Sequence, residues 1–200
     1  GGGLKYDYFS PNEKHRFNVF ASAQHINRDS YYGGGQDLNA YGNTTDLNWM
    51  AGSQYVYSFG KCIFMPSDLT AGIEFNQDKL EDNMWGYHRT VDQKVNIGSA
   101  FLQNEWKNDH WGFLLGGRLD KHNLIDHIIF SPRANLRFNP TQNINLRLSY
   151  SSGFRAPQAF DEDLHVENVG GNVAMVELAK DLKEERSQSL SASADIYHRF

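Results

Sequence analysis

Apolar and polar residues alternate with a period of two along much of the chain. Between residues 146 and 151, Leu146, Leu148 and Tyr150 fall on one side of an extended segment and Arg147, Ser149 and Ser151 on the other. That is the signature of a strand with one oily face and one polar face. Beyond it, Gly153 relaxes the backbone and Pro157 withholds an amide donor from any regular ladder. Asp161, Glu162, Asp163 and His165 then follow in a stretch that reads as loop. The same unit recurs, and the alternation predicts about nine strands, at residues 4–9, 16–26, 47–60, 69–77, 94–106, 111–121, 128–138, 144–152 and 187–200. In the fourth, Leu69, Ala71, Ile73 and Phe75 alternate with Thr70, Gly72, Glu74 and Asn76. A short helix is expected at 173–186.

The connections carry a second pattern. Turns near Asn12, Met65, Asn108 and Thr141 are short, whereas the polar, Gly- and Asn-rich segments after Ile26, Gln77 and Gly153 are long. The link at 122–127 is intermediate. Strands woven through an outer membrane have short turns on one side and long loops on the other, and compact soluble domains seldom hold several loops longer than about 12–15 residues. Aromatics gather beside the short turns: Phe9 and Phe17, Phe59 and Phe64, Trp106 and Trp111, and Phe138. They fit an interfacial girdle, and equally the packing of cross-strand ring pairs. On the polar sides lie Glu74, Arg118, Asp120, Arg133, Arg137 and Arg147. A soluble sandwich would turn these to water; a large barrel would turn them to a wet lumen.

Composition narrows the choice. A 40% hydrophobic, 14% aromatic chain with five prolines is not a disordered one. Net charge −5, with 19 scattered basic residues, argues against nucleic-acid binding. Cys62 is the single cysteine, so no internal disulfide forms. No apolar run approaches the ~20 residues of a membrane helix, and the opening GGGLKYDYF shows no signal peptide.

Several segments resemble TonB-dependent outer-membrane receptors. Tyr150, Gly153, Phe154, Arg155, Ala156 and Pro157 match that family's strand-to-loop motif. Leu182, Lys183 and Glu185, followed by Ser187, resemble its "Leu-Lys-Pro-Glu, then Ser" opening of the next strand, with Glu184 in place of proline. Gln103, Glu105 and Trp106, then Gly116, Arg118 and Asp120, resemble a family hairpin of the form "Gln-x-Glu-Trp … Gly-x-Arg-x-Asp". The resemblance covers at least residues 95–200.

It implies an all-β, antiparallel up-and-down meander that is part of a large transmembrane β-barrel with long extracellular loops. Residues 1–200 are then a partial barrel domain, since such barrels have roughly 22 strands and a plugged lumen. The implied role is non-enzymatic: a receptor in the outer membrane of a Gram-negative cell that imports a scarce bulky nutrient. An iron chelate, haem, cobalamin or a glycan would suit. Its partners would be outer-membrane lipid, the extracellular nutrient, and the TonB complex acting through an N-terminal plug region that this sequence lacks. No cofactor is implied. An open nine-stranded sheet leaves its edges unsatisfied in lipid, so closure, dimerisation or a larger assembly is expected. The alternative is a small self-contained β-barrel, which a terminal Phe200 would suit, or a soluble β-sandwich binding module.

Candidate ligand contacts sit in the expected loops: Tyr31, Tyr32, Gln36, Asp37 and Tyr41 in one, Trp85, Tyr87, His88 and Arg89 in the next, and Asp161, Glu162, Asp163 and His165 in the third. Aromatic and arginine side chains on loops commonly capture ligands. The acidic group also fits a solvated loop and lacks the calcium-binding hand pattern. Eight histidines show no zinc spacing, and no serine stands in a nucleophile elbow. Arg155 is expected to have a structural role at the barrel rim.

Overall fold

A computed structural model describes residues 1–31, 40–159, 167–169, 172–174, 179 and 182–197. Nine strands form one sheet in sequence order: β1 (Gly2–Phe9), β2 (His15–Tyr31), β3 (Tyr41–Cys62), β4 (Met65–Met84), β5 (Arg89–Lys107), β6 (Trp111–His122), β7 (Ile129–Thr141), β8 (Ile144–Arg155) and β11 (Glu185–Ile196). Between the last two, β9 (Glu167–Val169) and β10 (Asn172–Ala174) make a small separate hairpin. Every pairing is antiparallel. No second layer covers the sheet among the described residues, and β1 and β11 remain its two edges. That rules out the sandwich and a barrel closed by these strands alone.

Register sets the two faces. Tyr8, Phe17, Tyr55, Ala71 and Leu102 lie side by side across five strands, and Leu136, Leu148 and Ala192 across three more. This apolar face is uncovered: Leu4 is 83% exposed, Ile73 63% and Leu190 73%. Asn18, Gln54, Gly72, Phe101 and Arg118 form a matching row on the other face. There, glycines make room for rings. A Cβ on Gly52 would lie 2.6 Å from the Phe20 ring, and one on Gly72 2.4 Å from the Phe101 ring.

Two stretches expected to be loops are strand. Residues 27–31 and 41–46 extend β2 and β3, and 78–84 and 89–93 extend β4 and β5, so the long connections are tall hairpins. β8 likewise runs through Gly153 to Arg155 and stops two residues before Pro157, where the lost amide ends the ladder. The helix expected at 173–186 is absent at both ends, with Val173 and Ala174 in β10 and Glu185 and Arg186 in β11.

Within the tall hairpins the faces exchange character. On β4 the apolar side runs Leu69, Ala71, Ile73, Phe75, then Gln77, Lys79, Glu81 and Asn83. The other side runs Glu74, Asn76 and Asp78, then Leu80, Asp82 and Met84. Leu80, Met84 and, on β5, Val95 are buried there. The exchange occurs at Trp49 and Phe75, whose rings pair at 5.2 Å, and Trp49 Nε1 donates to Gln77 Oε1 at 3.2 Å. Below that level the sheet is oily outside; above it, the hairpins obey the ordinary soluble rule.

At the short-turn end the aromatics meet in pairs: Trp111 with Phe138 at 4.1 Å, Phe64 with Trp106 at 5.6 Å and Tyr57 with Phe59 at 4.5 Å. Trp106 Nε1 donates to Cys62 O at 3.0 Å. Trp111 and Phe138 pair across β6 and β7, whereas Tyr57 and Phe59 lie on one strand and Phe64 in the turn that follows it.

Candidate functional site

The tall end of the sheet carries the loop candidates. β4 and β5 meet in a single 3₁₀ turn, Trp85–Tyr87, closed by His88 in the left-handed region (φ 49°), whose N–H donates to Trp85 O at 3.3 Å. Trp85 and His88 are exposed at this tip and Tyr87 is half-buried. Tyr31 and Tyr41 face each other across the last rung of β2 and β3 with ring centroids 4.6 Å apart. Arg89 departs from expectation. Its side chain is buried and its Nη2 donates to Asp82 Oδ2 at 2.7 Å, while Thr44 Oγ1 donates to Asp82 Oδ1 at 2.7 Å. Arg89 therefore sits inside the hairpin, not on a loop surface, because Asp82 shares its face. Tyr32, Gln36, Asp37, Asp161, Glu162, Asp163 and His165 lie outside the described residues.

The family-like motif bridges the two faces. Tyr150 lies on the apolar face between Ala134 and Leu190, Gly153 and Phe154 pair with Ser187 and Arg186, and Arg155 forms the last rung opposite Glu185. After Ala156 and Pro157 the chain crosses the sheet toward β5. Gln93 receives it there with both ends of its amide: Nε2 donates to Ala159 O at 3.0 Å, and Ala159 N donates to Gln93 Oε1 at 2.9 Å. Ala159 is 4% exposed and packs with Leu80 and Val91. Next to it, His122 is fully buried. Its Nδ1 accepts from Leu124 N at 3.0 Å, so the hydrogen sits on Nε2 and is donated to Gln158 Oε1 at 3.0 Å. Sequence reasoning missed Gln93, His122, Gln158 and Ala159.

Lower on the polar face, charges occur in two different states. Across β2 to β6 they are matched. Asp68 accepts from Lys107 at 2.8 Å and Arg16 at 3.3 Å; Arg118 reaches Asp120 at 2.8 Å and Glu74 at 3.1 Å, and Ser99 donates to Asp120 at 2.6 Å. The Gly116, Arg118 and Asp120 motif is thus legible as geometry: alternate residues on one face, with Gly116 leaving space for Gln103, whose Cβ would stand 2.5 Å from an added one. On β7 and β8, by contrast, Arg137 and Arg147 stand directly opposite each other. Like charges so placed cost up to about 1 kcal/mol. Asp195 lies 3.6 Å from Arg147, and Glu105 lines the same cavity as both arginines. A cavity of about 660 Å³ lies on this face, lined by Glu74, Gln103, Arg118, Arg133 and Ser151 among others.

Above the exchange of faces, Asp46 and Asp78 lie close together, and each has one buried oxygen without a hydrogen-bond partner. Burial, reinforced by Asp46, pushes the Asp78 carboxyl up to about 6. Among the described residues no cluster of three or more His, Cys, Asp or Glu could hold a metal, and no helix is long and apolar enough to cross a membrane, which says nothing of strands.

A sheet oily on one face over a band of strands, charged on the other, with short turns at one end and tall hairpins at the other, is the wall of a transmembrane barrel. The family described as "TonB dependent receptor-like, beta-barrel" matches residues 1–200. The chain belongs to this family. Among solved structures, the receptor barrel is similar to the siderophore receptor PirA from Acinetobacter baumannii (TM-score 0.72, 16% identity, 98% of this chain and 32% of that one). It is also similar to a mutant of the ferric enterobactin receptor PfeA from Pseudomonas aeruginosa (TM-score 0.68, 16% identity, 92% and 30%). A third likeness is to the siderophore receptor PirA from Pseudomonas aeruginosa (TM-score 0.62, 12% identity, 92% and 38%). At these identities the likeness shows the fold. No curated protein sequence matches the chain. The receptor barrel described here spans about a third of the length of the first of those structures, so the nine strands are one stretch of a larger wall. Its apolar face is the lipid-facing one and its charged face the lumen.

Proposed function

We propose that this chain is part of the barrel of an outer-membrane active-transport receptor in a Gram-negative cell, which captures a siderophore outside and imports it with energy supplied through TonB. The observation that carries the reading is the exchange of faces at Trp49 and Phe75. It gives a lipid-height band below and a water-facing vestibule above, as a receptor that meets its cargo outside the membrane requires. The cargo class is taken from the solved structures this chain is similar to, which are siderophore receptors. In this reading Trp85, Tyr87, His88, Tyr31 and Tyr41 make first contact with the cargo, and Tyr32, Gln36, Asp37, Asp161, Glu162, Asp163 and His165 contribute further contacts. Arg89 serves by holding the hairpin in shape. Arg155 holds the rim. The role is binding and passage, not catalysis.

The test is growth of cells carrying the full-length receptor as their sole candidate uptake system, under iron limitation with single siderophores supplied, in strains with and without TonB. Growth on at least one siderophore, dependent on both proteins, is expected. Equal growth with and without the receptor on every iron chelate, with receptor-dependent growth on haem instead, would reassign the cargo.

A further inference from the structure

We propose that the oily face of β5, β6, β7, β8 and β11 carries a seat for one phospholipid of the periplasmic leaflet, its acyl chain in a groove closed at one end by the β3–β4 turn and its phosphate at Lys61. This goes beyond the transport reading and rests only on the placement of the barrel in an outer membrane.

The turn is the first observation. Cys62 O accepts from Phe64 N at 2.9 Å, which closes a three-residue turn around Ile63 at φ 64°. This hand of the γ-turn is rare and strained, and a β-branched residue at positive φ is an outlier. Glycine would occupy the position without steric cost. Isoleucine instead supplies an apolar side chain beside the lipid face. The next residue, Phe64, stacks on Trp106 at 5.6 Å and meets Phe113 edge-on at 6.1 Å. Trp106 Nε1, bonded to Cys62 O at 3.0 Å, pins the turn in that place. A backbone kept in a costly conformation by its surroundings points to a function for the residue that bears it.

Ile63 and Phe64 form one end of a cavity of about 370 Å³. Its walls include Phe113, Leu136 and Leu148 on one rung and Leu115, Ala134 and Tyr150 on the next. Between the larger Leu115 and Tyr150, Ala134 leaves the depression. The groove climbs away from the short turns. Trp106 is one residue from the end of β5, Leu115 four from the start of β6, and Tyr150 and Leu190 six from the matching ends of β8 and β11. Six residues of a strand tilted ~45° are roughly 14 Å of depth, close to one leaflet of the ~30 Å hydrocarbon core. Short turns lie on the periplasmic side, so a chain in this groove belongs to the periplasmic leaflet. Lys61 is exposed, precedes the turn directly and has no ion pair among the described residues. Lipid tails meet any apolar surface alike. The depression, its slope and an ammonium at its turn end are what select one position, and they match a phosphate ester with a fatty tail.

The experiment is native mass spectrometry of the full-length receptor, taken from bilayers of phosphatidylethanolamine and phosphatidylglycerol and washed with rising detergent. Wild type is expected to keep one phospholipid after the rest have gone. Ala134→Phe, which fills the groove, is expected to lower that occupancy at least about tenfold. Ala100→Phe, on the same face between Ile73 and Leu119 and outside the groove, is expected to leave it unchanged. Ile63→Gly relieves the backbone and removes a wall, so occupancy is expected to fall while heat-modifiable gel mobility is kept. Lys61→Gln is expected to weaken retention about fivefold. If Ala134→Phe does not fold, Ile63→Gly and Lys61→Gln decide the question. A wild type that keeps no lipid, or folded groove variants that keep as much as wild type, overturns the proposal. So does equal loss from Ala100→Phe, which would make the lipid part of a general shell. A receptor dimer that Ala134→Phe dissociates overturns it in favour of a second copy of the protein. A wild type that stays monodisperse in plain buffer would instead overturn the placement of the sheet in lipid.

Discussion

Replacing Gln93 by Ala tests whether the segment beyond the family motif is held down by one side chain. The amide of Gln93 completes a strand-like rung with Ala159, donating to its carbonyl at 3.0 Å and accepting from its N–H at 2.9 Å. Ala159 is 4% exposed, so neither backbone group has water as a ready substitute. A net hydrogen bond contributes about 0.5–1.5 kcal/mol, and an orphaned buried group costs about 1–3 kcal/mol. The two bonds together therefore put the loss near ~2 kcal/mol, roughly a 30-fold rise in the fraction of time the segment is detached. The assay is hydrogen exchange at the Ala159 amide in the full-length receptor, held in detergent or liposomes. Gln93→Met keeps the length and apolar stem but lacks the amide, and is expected to behave like Gln93→Ala. Protection at Ala159 that is unchanged in both variants would refute the clamp. Protection lost in the Ala variant and kept in the Met variant would show that packing against Leu80 and Val91, not the amide, holds the segment.

Asp82→Ala removes a buried carboxylate from both Arg89 and Thr44, and breaking one side of such a pair costs up to about 3–5 kcal/mol; amide exchange of the β4–β5 tip should accelerate while the lower strands stay protected. The Asp78 carboxyl, ordinarily near 3.8 and here held to about 6, binds its proton more tightly folded than unfolded. The hairpin is accordingly most stable below the ordinary value and weakens as pH rises through about 6; denaturant midpoints of wild type should fall over that interval, and Asp46→Asn should flatten the fall. Gly72→Ala puts a Cβ 2.4 Å from the Phe101 ring and 2.8 Å from Ser53 O, and overpacking of this kind costs about 1–3 kcal/mol, readable as a lower urea midpoint. Arg155→Ala at the last rung of β8 should lower siderophore uptake in cells whose receptor level is unchanged.

The lower half of the sheet was legible in the sequence because it obeys one rule throughout. Leu69, Ala71, Ile73 and Phe75 keep to one side and polar residues to the other, so period two alone located nine strands and the short turns. The upper half was not legible, for a physical reason. Above Phe75 the buried side switches to the other face and includes Asp78, Asp82 and Arg89, charges that destroy the alternation. Asp82 and Arg89 cancel each other in three dimensions, at a separation in sequence that no local pattern reports. A signal was nevertheless present on β5: Val91, Gln93, Val95 and Ile97 are alternate residues, apolar except for one amide. A lone amide in an apolar row marks a side chain bonded to something, and here that partner is the Ala159 backbone. The resemblance over 150–157 supplied the family; it did not supply the clamp, which depends on how far the chain travels after Pro157.

The level at which the faces exchange also fixes how far the hairpins reach from the bilayer. From Trp49 to the end of β3 at Tyr41 is eight residues, about 26 Å along a strand and roughly 18 Å along the membrane normal for a strand tilted ~45°. The headgroup layer occupies about 5–7 Å on each side of the hydrocarbon. The tips, with Trp85 and His88, therefore stand clear of the lipid surface. An antibody or any body too large to enter the barrel can grip the protein there without touching the bilayer.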